Sequence, residues 1–231
     1  MSRFDLLAAT RYNGVAMPPI QARLYCRISG EHLIPLYSLG PPHVSDFLPQ
    51  DEPDRPEEAK IPLELSLAPH SGLVQLSHTT PGDIMYRRYW YRSGTNATMT
   101  RALKEIAERG QELMHTGAGD VWVDIGCNDG TLLSFVDVKL NRIGFDPARN
   151  TFMESASRKH ADEILVDYFT KENYEKTVAS KKRAKVITSI AMFYDLEDPN
   201  QFVADIKDVL DDDGLWIVQM SYLPLMLEQM A

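Results

Sequence analysis

At 231 residues, with 44% hydrophobic and 25% charged residues, the chain has the composition of a globular protein able to build one sizeable core or two smaller ones. Its 33 acidic against 24 basic residues leave a formal charge of −9, which argues against nucleic acid or an anionic membrane as partner. No apolar run approaches the ~20 residues of a membrane span, and no signal-peptide pattern follows Ser2-Arg3-Phe4-Asp5, so a cytoplasmic location is expected. Cys26 and Cys127 lie far apart, in different modules, and are expected as reduced thiols.

Residues 1–20 show no strong periodicity and read as an arm. From 21 to 90, short apolar snippets (Leu24-Tyr25-Cys26, Leu33-Ile34-Pro35-Leu36, Leu73-Val74-Gln75-Leu76) are separated by loop sequence, notably Pro41-Pro42 and the acidic, Pro-rich run Asp51–Glu58. This is a small β-rich module with little core of its own. From 91 onward the pattern changes. Residues 97–116 place Met99, Leu103, Ile106, Ala107, Leu113 and Met114 at helical spacing opposite a charged face.

The most informative segment follows that helix. Val121-Trp122-Val123 reads as a buried parallel strand. Asp124-Ile125-Gly126-Cys127-Asn128-Asp129-Gly130 breaks it with a turn, and Leu132, Leu133, Phe135 and Val136 predict a helix over 130–138. Strand, glycine turn and helix let a cofactor approach backbone N–H groups. Twenty residues past Gly126, the next short strand ends in Asp146, a distance at which a carboxylate can accept both ribose hydroxyls. A phosphate site would want a further glycine where Asn128 stands, or a Gly-Lys-Ser/Thr set. Asp124 and Asp129 would instead repel a pyrophosphate and suit an ammonium. S-adenosylmethionine (SAM) answers all of these features. A plain α/β turn whose aspartates cap a helix is the alternative.

Further strands are predicted at Arg142–Phe145, Glu163–Val166, Lys185–Ala191 and Leu215–Met220, with helices at 148–160, 171–180 and 199–210, and a turn at Asp211-Asp212-Asp213-Gly214. Strands alternating with helices give an α/β fold with a doubly wound parallel sheet, of which five strands can be counted.

On Cys26–Gly30, Ser71–Leu76, Tyr89–Asn96, Asp124–Leu133 and Phe193–Pro199, the chain beyond residue 20 resembles the sugar C-methyltransferases. In that family an N-terminal zinc-binding module precedes a class I SAM-dependent methyltransferase domain, and members act on nucleotide-linked keto-deoxysugars. The resemblance implies a Rossmann-like methyltransferase sheet carrying strands 1–5 only. Residues 91–231 would form this SAM-binding domain, and 21–90 the degenerate zinc-type module. It assigns Asp124 to the methionine amino group, or to a capping role. Gly126 and Gly130 would allow close backbone approach, and Asn128 would take the methionine carboxylate or a turn carbonyl. Asp146 is assigned to the ribose. Asp167, Tyr168 and Phe169 would form the adenine pocket or simply end a strand, and Ser189 would border the sulfonium mainly through backbone atoms. Tyr91, Asn96 and Tyr194 are the candidates for the substrate side, with helix capping and buried aromatics as the alternative.

Two departures from the family qualify this reading. The four zinc positions align with Cys26, Ser29, Ala68 and Ser71, one thiolate of four, so no structural zinc is expected. The family's His-Glu-His base and C-terminal domain have no counterpart before Ala231. A catalytically silent SAM- or SAH-binding partner subunit is therefore the competing function. Leu215–Val218 would be an open sheet edge, expected to pair with a second copy, another subunit or a further segment.

Overall fold

The computed structural model describes residues 11–12, 15–16, 20–42, 60–87, 89–149 and 160–230. The chain divides into two compact units, 1–90 and 91–231. The acidic loop read at Asp51–Glu58 and almost all of the helix read at 148–160 lie outside the described residues.

The first unit is made of short antiparallel pieces. β1 (Arg11–Tyr12) pairs with β2 (Val15–Ala16), and β3 (Gln21–Ala22) pairs with β7 (His78–Thr79). β4 (Ile34–Ser38), β5 (Glu64–Leu67) and β6 (Val74–Leu76) form a three-stranded sheet in that order. A short helix, α1, covers Gly82–Tyr86. Few side chains are buried: Ile20, Cys26, Ile61, Ser66, Ala68 and Gln75 among the described residues.

The second unit opens with α2 (Ala97–Leu113), which buries Leu103, Ala107 and Gly110. Asn96 caps it, its side-chain oxygen accepting from the N–H groups of Thr98 at 2.9 Å and Met99 at 3.1 Å. Five parallel strands follow: β8 (Val121–Ile125), β9 (Asn141–Phe145), β10 (Glu163–Leu165), β11 (Ala184–Ile190) and β12 (Leu210–Gln219). Their order is β10-β9-β8-β11-β12. The remaining helices are α3 (Lys171–Tyr174), α4 (Pro199–Val209) and α5 (Leu223–Gln229). The α/β reading and its doubly wound parallel sheet are thus observed.

All five residues of β8 are buried, as a strand covered on both faces requires. The strand period of two sorts them. Val121, Val123 and Ile125 join Phe145, Ile187, Phe202, Ile206 and Val209 in one core layer; Trp122 joins Leu103, Ala107, Leu133 and Val186 in the other. Asp124 shares the parity of Trp122.

Two predicted details are corrected. No α-helix spans 130–138; the segment makes only a 3-10 turn at Leu133–Phe135. The Gln111 side chain intercepts it, Nε2 donating to Phe135 O at 3.2 Å and Oε1 accepting from Asp137 N at 2.8 Å. Those are backbone groups that a continuing helix would pair within itself. Likewise, the acidic turn before the last strand is a bulge inside β12. Ala184 pairs with Leu210 and Val186 with Leu215, so residues 211–214 are looped out of the ladder. Basic side chains hold the loop: Arg183 on Asp212 at 2.6 Å, and Lys185 on Asp213 and Asp211.

Candidate functional site

In a doubly wound sheet the chain leaves one strand for opposite sides, and a crevice opens where it does so. Here β8 is that strand, with β9 on one side and β11 on the other, so the C-terminal ends of β8 and β11 are where a ligand belongs. Gly126 takes the turn out of β8 with φ +71°, and a Cβ there would come within 3.3 Å of Met192. Beside it, Ala191 at the end of β11 is also left-handed, with φ +54°, a strained conformation for a residue with a side chain.

The turn is not a cradle of free N–H groups at a helix N-terminus, because no helix follows and its donors are used internally. Gly126 N and Cys127 N donate to Phe145 O at 2.8 and 3.0 Å, Asn128 N to Asp146 Oδ2 at 2.9 Å, and Gly130 N to Cys127 O at 2.9 Å. What the site offers is carboxylate.

Asp124 is 3% exposed, and Thr188 Oγ1 donates to its Oδ1 at 2.7 Å. Burial pushes its carboxyl up to about 7, only partly offset by the Thr188 hydrogen bond, and the neighbouring Asp146 charge adds to the rise. No Lys, Arg or His pairs with it among the described residues. Asp146 is also buried and raised, chiefly by burial; its two oxygens accept from Asn128 N and Ala148 N, each at 2.9 Å. Burial likewise lifts the Cys127 thiol. Two buried carboxylates with no cation beside them among the described residues form an unfinished electrostatic arrangement. A ligand bearing an ammonium and a ribose, as SAM does, fits this donor set.

A segment from Tyr91 to Asn96 is strapped to the turn. Asn128 Oδ1 accepts from Ser93 N at 3.0 Å, and its Nδ2 donates to Tyr91 O at 2.9 Å. Asp129 Oδ2 accepts from Gly94 N at 2.8 Å. The approach is close enough to demand glycine: a Cβ on Gly94 would lie 2.8 Å from Thr131 Oγ1 and 2.9 Å from Asp129 Oδ2. The Asn128 amide is therefore engaged with backbone of the strap, and the Asn96 oxygen with the α2 cap. Tyr91 and Tyr194 are 39% and 48% exposed.

The outlying candidates divide. Asp167 is half-buried after β10, its Oδ1 accepting from Tyr168 N at 2.9 Å. Phe169 is 6% exposed and lies in the core, in T-shaped contact with Phe145 at 5.2 Å and with Phe202 at 5.7 Å. Ser189 is fully buried, and its hydroxyl accepts from Trp216 Nε1 at 3.2 Å. Sequence reasoning missed Thr188 and Met192, which no local motif distinguishes from ordinary strand and loop residues.

The zinc-type positions of the first unit do come together, in two similar turns closed by Gly30 N on Cys26 O at 3.0 Å and Gly72 N on Ala68 O at 2.8 Å. The groups present do not fit zinc: one thiol, two hydroxyls and a buried methyl. No cluster of three or more His, Cys, Asp or Glu side chains suited to a metal occurs among the described residues. Instead Cys26 Sγ accepts from Ile28 N and Ser29 N, each at 3.4 Å, and lies 3.6 Å from Ser71 Oγ. Burial raises this thiol, but those hydrogen bonds outweigh it and bring it to about 7. Glu31 bridges the turns. Its oxygens accept from His70 N at 2.9 Å, Ser71 N at 2.9 Å and Ser29 Oγ at 2.9 Å, with His70 Nδ1 at 2.6 Å. Desolvation opposes ionisation, yet these donors hold Glu31 down at about 2.

Comparison with known proteins bears on the second unit most directly. The family described as a methyltransferase domain matches residues 91–230. The C-methyltransferase NovU of Streptomyces niveus is 24% identical over 205 residues, covering 88% of this chain and 48% of NovU. The chain thus spans about half the length of that curated relative. Among solved structures, the plantazolicin methyltransferase BpumL in complex with SAH is similar over 55% of this chain and 49% of that one, at 16% identity and a TM-score of 0.42. The cyclopropane synthase MmaA2 from Mycobacterium tuberculosis is similar over 61% and 52%, at 17% identity and a TM-score of 0.41. The family match takes in the whole parallel sheet together with the turn that carries Asp124 and the strap that covers it, and the chain belongs to this methyltransferase-domain family.

Proposed function

We propose that this chain holds SAM for methyl transfer to carbon, with a nucleotide-linked keto-deoxysugar as the acceptor class. The observation that carries the cofactor reading is the buried pair Asp124 and Asp146, which has no cation beside it among the described residues and sits at the switch point of the sheet. The carbon acceptor is supported by the likeness to NovU, and the sugar class by the resemblance of the turn, the strap and the Phe193–Pro199 loop to the sugar C-methyltransferases. Bound SAM would supply an electrophilic methyl group on its sulfonium. The residues of this chain would bind and orient: Asp124 the ammonium, Asp146 the ribose hydroxyls, Asp167 and Tyr168 the base, and the Ala191–Met192 turn would face Gly126 across the site. Tyr91 and Tyr194, the exposed aromatics near this end of the sheet, would serve the substrate side.

A second reading is a SAM-binding partner subunit without activity of its own. It is favoured by the engagement of Asn96 in the helix cap, which removes that oxygen from chemistry. We also propose that the first unit works without zinc, with Glu31 and Cys26 closing the two turns.

The test is calorimetric titration with S-adenosylhomocysteine beside Asp146→Ala, with the fold of both checked by circular dichroism. Micromolar binding abolished by the substitution supports the cofactor site; no binding by the folded chain overturns it. Transfer of labelled methyl from SAM then separates the two functional readings.

A further inference from the structure

We infer that Thr188 is a positioning residue for the cofactor cation, acting through Asp124: its hydroxyl orders the carboxylate and favours the charged form that receives an ammonium. This role rests on the cofactor reading and falls to a residue that no motif marks.

Thr188 is fully buried and is the direct cross-strand partner of Asp124 on β11. Its oxygen receives the Trp122 indole N–H at 3.3 Å. A hydroxyl has one proton to give, and two acceptors stand near it, Asp124 Oδ1 at 2.7 Å and Val123 O at 3.3 Å. The shorter contact to the potentially charged acceptor is the stronger. The donors therefore run one way across the sheet, Trp122 to Thr188 to Asp124. Thr188 is the only hydrogen-bond donor to the Asp124 carboxylate among the described residues.

Among the described residues the charge that bears on Asp124 is that of Asp146, and it works against ionisation. Asp146 follows β9, and Asp129 and the Cys127 thiol sit on the turn. The strands contribute Gly144, Thr188 and Ser189 beside it, none of which titrates, and no cation answers from any side among the described residues. Thr188 alone tips the carboxyl toward its charged form. Removing the hydroxyl would leave a dry carboxylate without a donor, and it would hold its proton at neutral pH.

The experiment compares wild type with Thr188→Val and Thr188→Ser by two readouts. The first is the titration midpoint of the Asp124 side-chain carboxyl in the ligand-free chain, followed by 13C NMR and assigned with Asp124→Asn. The second is S-adenosylhomocysteine affinity by calorimetry between pH 6 and 9. Thr188→Val should raise the midpoint by about one unit or more, and weaken binding about tenfold at pH 7 with recovery at pH 9. Thr188→Ser should restore both. An unchanged midpoint in folded Thr188→Val overturns the inference, and so does an affinity loss that is the same at every pH. Absence of binding by wild type at any pH would overturn the cofactor reading together with the positioning role of Thr188, whatever the midpoint does.

Discussion

Asp124 separates stability from binding in a way that a structural residue would not. Its carboxyl titrates at about 7 in the folded chain and at about 3.9 when unfolded, so the folded state holds the proton more tightly. The sign follows: its contribution favours the fold at low pH and is lost as pH rises from about 4 through about 7. Asp124→Asn keeps an acceptor for Thr188 and removes the buried charge. At pH 8 this variant should be more stable than wild type by on the order of 1–3 kcal/mol, while losing S-adenosylhomocysteine binding. Urea unfolding at pH 5 and pH 8 checks this, and a variant less stable at pH 8 would contradict it. Asp124, Gly126 and Asp146 could be singled out from spacing alone. The aromatic character of Phe169 suggested a stacking face, but packing between Phe145 and Phe202 uses the ring as core.

Among the elements, the strap from Tyr91 to Asn96 depends on two side chains of the turn. Asn128→Ala removes the acceptor of Ser93 N and the donor to Tyr91 O, each hydrogen bond contributing about 1 kcal/mol. Amide exchange at Ser93 should accelerate in this variant, while exchange in the centre of α2 stays slow. Equal acceleration along α2 would mean that the strap and helix open together. A cap at Thr95 or Asn96 was readable because such a residue before a run at helical spacing is a local signal, and Asn96 fills it. The missing helix at 130–138 was not readable in the same way. Its apolar spacing is helical, but Gln111, over twenty residues upstream, takes its backbone groups.

For the molecule as a whole, two features govern solution behaviour. The first unit is tied by Glu31, whose carboxyl is held at about 2 against an ordinary value of 4.5. Its contribution is therefore present above about pH 4.5 and lost as the pH falls toward 2. Chelator should leave unfolding of this unit unchanged, whereas acid should open it across that window, as followed by amide exchange at His70 and Ser71. A transition that EDTA lowers would restore a metal. The second feature is β12, paired only with β11 among the described residues, with Val218 40% exposed and an apolar groove between it and α2 lined by Met99, Ile106, Leu215 and Ile217. Beyond it, α5 is exposed throughout while carrying Leu223, Leu225, Met226 and Leu227. We predict concentration-dependent association in sedimentation velocity, weakened by Val218→Lys on the strand edge. A monomer at all micromolar concentrations would exclude pairing between copies at this edge.

What the amino-acid sequence determined by itself was what repeats locally: the five parallel strands, the buried character of Val121-Trp122-Val123, the glycine turn, and the carboxylate twenty residues beyond it. These follow from periodicity and backbone preference, which act over a few residues. Only the tertiary structure decided which partner each polar group meets. Thr188 reaches Asp124 across 64 positions of chain, Ser71 reaches Glu31 across 40, and Asn128 spends its amide on a strap 35 residues earlier. The energy of a buried carboxylate depends on such partners and on exclusion of water, and neither is encoded at the residue's own position.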